Sequence, residues 1–189
     1  MREIVYFSRK AWTTGNFKDL MKAGRLDIAC HAIIMSFFIS NARRQDVKLH
    51  LFFYGPPDPP KHLEIGSKAP LSKKDISKII KIMLFKYKQG KRVEALHDCW
   101  IEKKSLIEFL EEKFSEGRKI YLLDENGIDI RKVDIEKDGI FVLGDHKGLP
   151  KKEKKRIKKI SIAISLGNVT YFASQAIAIL HNELDRRGI

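Results

Sequence analysis

The tightest constraint on this chain lies in its last fifth. There, two short apolar runs each open into a glycine-bearing loop, and a long apolar helix follows. Ile140–Leu143 leads into Gly144-Asp145-His146-Lys147-Gly148-Leu149, and Ile160–Ile164 leads into Ser165-Leu166-Gly167 ahead of a helical stretch over Thr170–Arg187. Apolar runs of this length read as buried strands. In an open α/β sheet, ligands bind outside the carboxyl ends of the strands, where such loops gather. Most of the function is therefore expected here.

The rest of the chain supplies the same alternation. Glu3–Phe7 reads as a buried strand, and Gly24-Arg25-Leu26-Asp27 opens a helix to about Ser40 on Leu26, Ala29, Ile33 and Phe37. Asp46–Phe53 reads as a strand whose Val47, Leu49, Leu51 and Phe53 alternate with polar partners until Phe52. It ends in Tyr54-Gly55-Pro56-Pro57-Asp58-Pro59-Pro60, a stiff stop because proline fixes φ and lacks a donor. Lys61–Ile65 is a short extended piece. Ser72, with Asp75 three residues on, is expected to cap a helix to about Gln89 on Ile76, Ile79, Ile80, Met83 and Leu84. Ser105–Ser115 reads as an amphipathic helix, and Lys119–Leu123 as a strand. Asp124-Glu125-Asn126-Gly127 predicts a hairpin turn. Lys151–Lys159 is a basic run expected to form a short helix. The alternation gives an α/β fold in a single domain, 1–189, with room for a hairpin or helical insertion within 56–135.

Charge bears on partners. Lys and Arg number 37 against 24 acids, a net +13. A heat-adapted surface rich in Lys, Glu and Ile is one reading. So large an excess favours a polyanionic partner, nucleic acid first. Cys30 and Cys99 stand far apart and form no metal spacing, so no metal is expected. The N-terminus lacks an apolar signal region, and Ala32–Ile39 is too short to span a bilayer, so a cytoplasmic protein without a membrane partner is expected.

Absences narrow the chemistry. No G-x-G-x-x-G follows the first strand, and neither G-x-x-x-x-G-K-[ST] nor G-x-S-x-G occurs. Dinucleotide redox, P-loop and serine hydrolase chemistry have no local support. Glycines at the late strand ends remain. Gly144 lets the backbone approach a planar ligand, Gly148 closes the same loop, and Gly167 precedes a helix whose free amides suit a carboxylate. A ligand with an aromatic base, a ribose and an amino-acid carboxylate would suit such a pocket. Asp27 suits the positive end of its helix, which alone would explain it.

Five segments occur together in order: Gly24-Arg25-Leu26-Asp27, the Tyr54–Pro60 loop, Gly144-Asp145-His146-Lys147-Gly148, Ile164-Ser165-Leu166-Gly167 and Leu180-His181-Asn182-Glu183-Leu184-Asp185. In these the chain resembles, over nearly its whole length, the TrmY family of archaeal tRNA pseudouridine-54 N1-methyltransferases in the SPOUT superfamily. The resemblance implies an open, mostly parallel sheet flanked by helices, with a deep C-terminal trefoil knot. It also implies a homodimer, S-adenosyl-L-methionine (SAM) as methyl donor and tRNA as substrate. Leu123, Gly144, Ala176 and the turn Leu166, Gly167, Asn168, Val169, Thr170 and Tyr171 are expected to border SAM. Asn168, Ala176 and His31 stand where the family commonly has proline, cysteine and arginine.

The pseudouridine N1 must lose a proton. Asp27 and Asp145 are the candidates to take it, unless water does, and Arg25 would hold phosphate or the uracil oxygens. The loop position of Asp145 favours the chemical role over the alternative, that it only orients the Gly144 loop through backbone bonds. Arg9, Lys10, Lys61 and Lys147 are candidate RNA phosphate contacts, chosen for their place near loop ends. On the last helix, Ala173, Ala176, Ile177, Leu180 and Leu184, widened by Phe172 and Ile179, give a stripe broad enough for both the sheet and a partner subunit. His181 and Asn182 are expected to pack there. Two alternatives stand beside this reading: a pseudouridine in ribosomal RNA as target, and a non-catalytic basic RNA-binding protein.

Overall fold

Strand β1 (Arg2–Ser8) is buried at every position, as a strand covered on both faces must be. It pairs in parallel with β2 (Val47–Phe53) on one side and with β7 (Ile140–Gly144) on the other. A computed structural model describes residues 1–189 and completes this centre into an eight-stranded sheet of order β4-β5-β3-β2-β1-β7-β6-β8. Here β3 is Lys61–Ile65, β4 Val93–Leu96, β5 Cys99–Glu102, β6 Ile120–Asp129 and β8 Ile162–Ser165. The β2, β1, β7, β6 and β8 pairings are all parallel, while β3, β5 and β4 extend one edge in antiparallel fashion.

Helices cover both faces. Val47, Leu49, Leu51 and Phe53 of β2 enter one core with α1 (Leu26–Phe37), α2 (Ile76–Phe85) and the start of α5 (Ala173–Arg186). Phe52, the break in the alternation, points to the other core beneath α3 (Leu106–Ser115) and α4 (Lys151–Ile157). The polar position His50 of β2 is therefore not a solvent position: it is 1% exposed. At the β8 edge, Leu180 and Leu184 of α5 join Tyr121, Phe141 and Ile164 in a third cluster.

Two expectations fail locally. The first concerns Ser72, which does not cap α2. Ser72–Asp75 form a preliminary turn in which the Asp75 amide donates to the Ser72 carbonyl at 3.0 Å, and the helix proper begins at Ile76. It stops at Phe85 rather than Gln89, and the chain turns back at Gly90, whose φ is +68°. By contrast, α3 has the full capping box: Ser105 Oγ accepts from the Glu108 amide, and Glu108 Oε2 accepts from the Ser105 amide.

The second concerns Asp124–Gly127, which is not a hairpin turn. Strand β6 continues through it, and Leu123 and Ile128 both register with Ile164 of β8, so residues 124–127 are looped out as a wide bulge. The physical reason is the arrival of β8 as a parallel partner, which a hairpin arm would have displaced. Gly127 is required there, since a Cβ would lie 2.6 Å from the Ile164 backbone.

Candidate active site

Strands β6, β7 and β8 run parallel, so their carboxyl ends emerge on the same side. They open around a cavity of about 390 Å³, the size of a small-molecule site. Leu123 and the bulge residues Asp124 and Glu125 form one wall, and Leu143 to Leu149 a second. Ile164 to Gly167 with Val169 to Tyr171 form a third, closed by Ala173 and Ala176 of α5. Gly144 is the hinge of the second wall. A Cβ on it would come within 2.6 Å of the Gly148 carbonyl carbon, so only glycine lets that loop fold back onto the strand end. The Gly148 amide closes the loop on the Asp145 carbonyl at 2.8 Å.

Every expected cofactor contact except Asn168 borders this cavity: Leu123, Gly144, Leu166, Gly167, Val169, Thr170, Tyr171 and Ala176. Asp124, Glu125, Leu143, Leu149 and Lys154 also line it and escaped the sequence reading. Asp124 and Glu125 were spent there on a hairpin, although two acids directly after Leu123 at a strand end were the available signal. Asp124 is tightly held, with Lys158 Nζ at 2.7 Å and Lys154 Nζ at 3.2 Å. Burial would raise its carboxyl, but these lysines and the Asn126 amide bring it below the usual range. Gly167 does not adjoin a helix. Asn168–Phe172 intervene, and the Phe172 amide is taken by Gln175 Oε1 at 3.1 Å.

The donor set suits SAM. Leu123, Leu143, Leu149, Ile164 and Leu166 give apolar walls for an adenine ring. Asp124, Glu125 and Asp145 place negative charge around a cavity that would take a cationic sulfonium and an ammonium group.

Beside the cavity, Asp145 is only 8% exposed and accepts three hydrogen bonds: Ser8 Oγ at 3.1 Å, the Arg9 amide at 3.2 Å and the Lys147 amide at 2.9 Å. These bonds lock the β7 loop to the end of β1. Asp27 is held by Arg25, through Nε to Oδ1 at 3.0 Å and Nη2 to Oδ2 at 2.9 Å. The Arg25 hydrogen bond keeps the Asp27 carboxyl below its ordinary range. Arg25 itself adopts a left-handed conformation (φ 66°), a strained state for a side chain of this size and one that clusters at functional sites. Neither Arg25 nor Asp27 lines the cavity, yet both are electrostatically near Tyr6. Burial, then the charges of Asp145 and Asp27, push that buried phenol up. Its hydroxyl has no hydrogen-bond partner. The three candidate catalytic residues thus all act electrostatically on Tyr6 of β1.

The basic candidates divide. Arg9, Lys10 and Lys147 are exposed. Lys61 is not available to RNA: it is 1% exposed, donates to the Asp58 carbonyl and carboxylate at 2.6 Å, and sits 3.8 Å from the Tyr87 ring centroid. It braces the proline loop. His31 is exposed on α1, His146 is exposed at the cavity rim, and Asn182 is exposed on α5. His181 packs as expected, 2% exposed with Nδ1 accepting from Arg2 Nη1 at 3.0 Å. No helix is long and apolar enough to cross a membrane.

Comparison with known proteins agrees with this geometry. The family described as "Putative SAM-dependent RNA methyltransferase" matches residues 1–189. A protein of Methanosarcina acetivorans named tRNA (pseudouridine(54)-N(1))-methyltransferase is 35% identical, over 98% of this chain and 92% of its own. One of the same name from Methanocaldococcus jannaschii is 32% identical, over 100% of this chain and 98% of its own. Among solved structures, Archaeoglobus fulgidus Nep1 bound to S-adenosylhomocysteine superposes with a TM-score of 0.62 at 15% identity, covering 88% of this chain and 73% of that one, a likeness of fold. With the whole length matched and the cavity in place, the chain belongs to this family of SAM-dependent RNA methyltransferases, whose curated archaeal members carry the name tRNA (pseudouridine(54)-N(1))-methyltransferase.

Proposed function

We propose that this enzyme methylates N1 of pseudouridine 54 in the T-loop of tRNA, in the cytoplasm, using SAM. The observation that carries the reading is the cavity at the carboxyl ends of three parallel strands, in a chain matched end to end by tRNA methyltransferases. Gly144, Leu166 and Ala176 would hold the cofactor at the strand ends, with Leu123 and Ile164 as apolar walls. When bound, SAM supplies an electrophilic methyl group on its sulfonium.

The protein's contribution is position. Orientation for in-line approach is worth roughly 7–11 kcal/mol, and the site is built for it. Arg25, preset by Asp27, faces the uracil oxygens or the adjoining phosphate. Asp145 keeps the β7 loop against β1, so the cofactor and base sites hold a fixed separation. Both carboxylates already accept hydrogen bonds on both oxygens, so each is occupied in holding its neighbours. The N1 proton would therefore be lost to water rather than to either carboxylate. Arg9, Lys10 and Lys147 bind phosphate around the extruded base.

Two parts of the assembly belong to the same proposal. The chain closes in a deep trefoil knot around the cofactor loops. A second subunit covers the exposed Phe172, the half-buried Ile179 and, on α1, His31 and Met35.

The test is methyl transfer from labelled SAM to two tRNA transcripts that differ only in pseudouridine or uridine at position 54. Label in the pseudouridine transcript alone is the expected result. Label in neither, with SAM still bound, would move the target to another RNA, ribosomal RNA first.

A further inference from the structure

Helix α4 and the turn after it, Lys151–Lys159, carry seven Lys and Arg residues and one acid, Glu153. Three of the seven are accounted for. Lys154 and Lys158 pair with Asp124, and Arg156 pairs with Glu111 at 2.6 Å. The other four, Lys151, Lys152, Lys155 and Lys159, are exposed and have no carboxylate within 4.0 Å. They are not scattered. Spacings of three and four residues put them on one side of the helix. The opposite side is fixed by Ile157, which is 0% exposed in the core beneath α3, while Lys154 and Lys158, held on Asp124, flank the free lysines. Like charges one turn apart repel, so the helix carries an unfavourable arrangement that nothing within the chain relieves. It lies directly at the cofactor cavity: Leu149, two residues before α4, and Lys154 within it both line that cavity.

We propose that the free lysine face of α4 is the docking surface for the phosphate backbone of the substrate RNA, seated beside the cofactor so that the target nucleotide is presented to it. This rests on the reading of the enzyme as a tRNA methyltransferase and adds where the RNA body lies. The arrangement fits a polyanion with phosphates at regular spacing. Lys154 and Lys158 stay with Asp124 and link RNA seating to the bulge that walls the cavity. Helix α2 and its flanks also carry lysines, Lys73, Lys74, Lys78, Lys81, Lys86 and Lys88, but that helix packs over α1, β4 and β5 at the other end of the sheet and takes no part.

The experiment measures binding of pseudouridine-54 tRNA to the full-length protein across a salt series. Wild type is compared with Lys151→Gln/Lys152→Gln/Lys155→Gln/Lys159→Gln and with a matched α2 variant, Lys74→Gln/Lys78→Gln/Lys86→Gln/Lys88→Gln. Calorimetry with S-adenosylhomocysteine reports cofactor binding in each. The α4 variant should bind the cofactor like wild type, bind tRNA at least about tenfold more weakly, and show a salt slope shallower by about 3. The α2 variant should change the slope by less than about 1. An α4 variant with the wild-type slope, or an α2 variant with an equal loss, overturns the inference. Failure of wild type itself to bind or methylate tRNA would instead fall on the substrate reading.

Discussion

The two ends of the sheet are held together differently. At the antiparallel end, the α3 face of β1, β2, β3 and β5 carries a buried polar relay. Glu3 Oε2 lies 3.2 Å from His50 Nε2, His50 Nδ1 lies 2.9 Å from His62 Nε2, and His62 Nδ1 lies 3.0 Å from Glu102 Oε1. Arg118 holds Glu3, and Arg92 and Lys48 hold Glu64 beside it. The three groups that could ligate a metal there, His50, His62 and Glu64, are thus already engaged with one another and with these cations. Each polar group has a partner, and the rings stack: His62 lies parallel to Phe52 at 4.4 Å.

At the parallel end, two glycines, Gly127 and Gly144, replace side chains, and the residues at the strand ends line a cavity, with Asp124 and Asp145 held at its edge by their own partners. A satisfied network makes a rigid scaffold; an opened one leaves room for ligand. The difference teaches that stability and chemistry occupy opposite ends of one sheet, joined through β1.

Arg2, at the start of β1, is the most damaging place to break that junction. Its guanidinium reaches His181, Asp185 and the Ile189 carbonyl on and after α5, and Asp46 before β2. Removing one partner of a buried charged network costs about 3 kcal/mol or more. Arg2→Met is expected to lower stability by that amount in urea unfolding and to loosen α5 first by hydrogen exchange.

Gly127→Ala comes next. Its Cβ has no space against Ile164, and overpacking of this kind costs about 1–3 kcal/mol. Cofactor affinity should fall with it, because the bulge is a cavity wall; an equivalent loss of stability at the β4 edge should leave affinity intact.

Acid should separate the two ends further. Burial lowers His62 to about 4 and His181 to about 3, from a reference near 6.5. Both are therefore neutral when folded but charge more readily when unfolded. Their stabilising contribution is present above about pH 6.5 and is lost as pH falls toward these values. Unfolding free energies measured between pH 7.5 and 5 should decline, and His62→Gln should flatten that decline at a lower overall stability.

Asp27→Asn should have the smallest structural effect. Asp27 is partly exposed, and its solvent-screened pair with Arg25 is worth little to stability. Methyl transfer should nevertheless slow by about 10- to 100-fold as Arg25 loses its preset orientation, with the melting temperature nearly unchanged.

Much of this division was legible in the sequence, for reasons visible in particular residues. Unbroken apolar runs at Ile140–Leu143 and Ile4–Phe7 have one physical outcome, a strand covered on both faces. Ser105 and Glu108 declare α3 through purely local bonds. The cavity was reachable because Gly144 and Leu166-Gly167 sit at strand ends and the segments resemble a known family.

What escaped depended on partners distant in sequence. Asp124–Gly127 reads locally as a turn and becomes a bulge only when β8 arrives at Leu123 and Ile128. Lys61 looks like a surface cation until Asp58 and Tyr87 enclose it. His50 and His62 carry no local signal at all, since their relay needs β1, β2, β3 and β5 side by side.

The most direct measurement is calorimetric titration of S-adenosylhomocysteine into wild type, Gly144→Ala and His62→Gln, each first shown folded by circular dichroism. The account predicts binding by wild type and by His62→Gln with similar affinity, and no detectable binding by Gly144→Ala, whose added methyl forces the β7 loop off the strand end. Wild-type affinity in Gly144→Ala, or loss of binding in the folded His62→Gln, would contradict the assignment of chemistry to the parallel end.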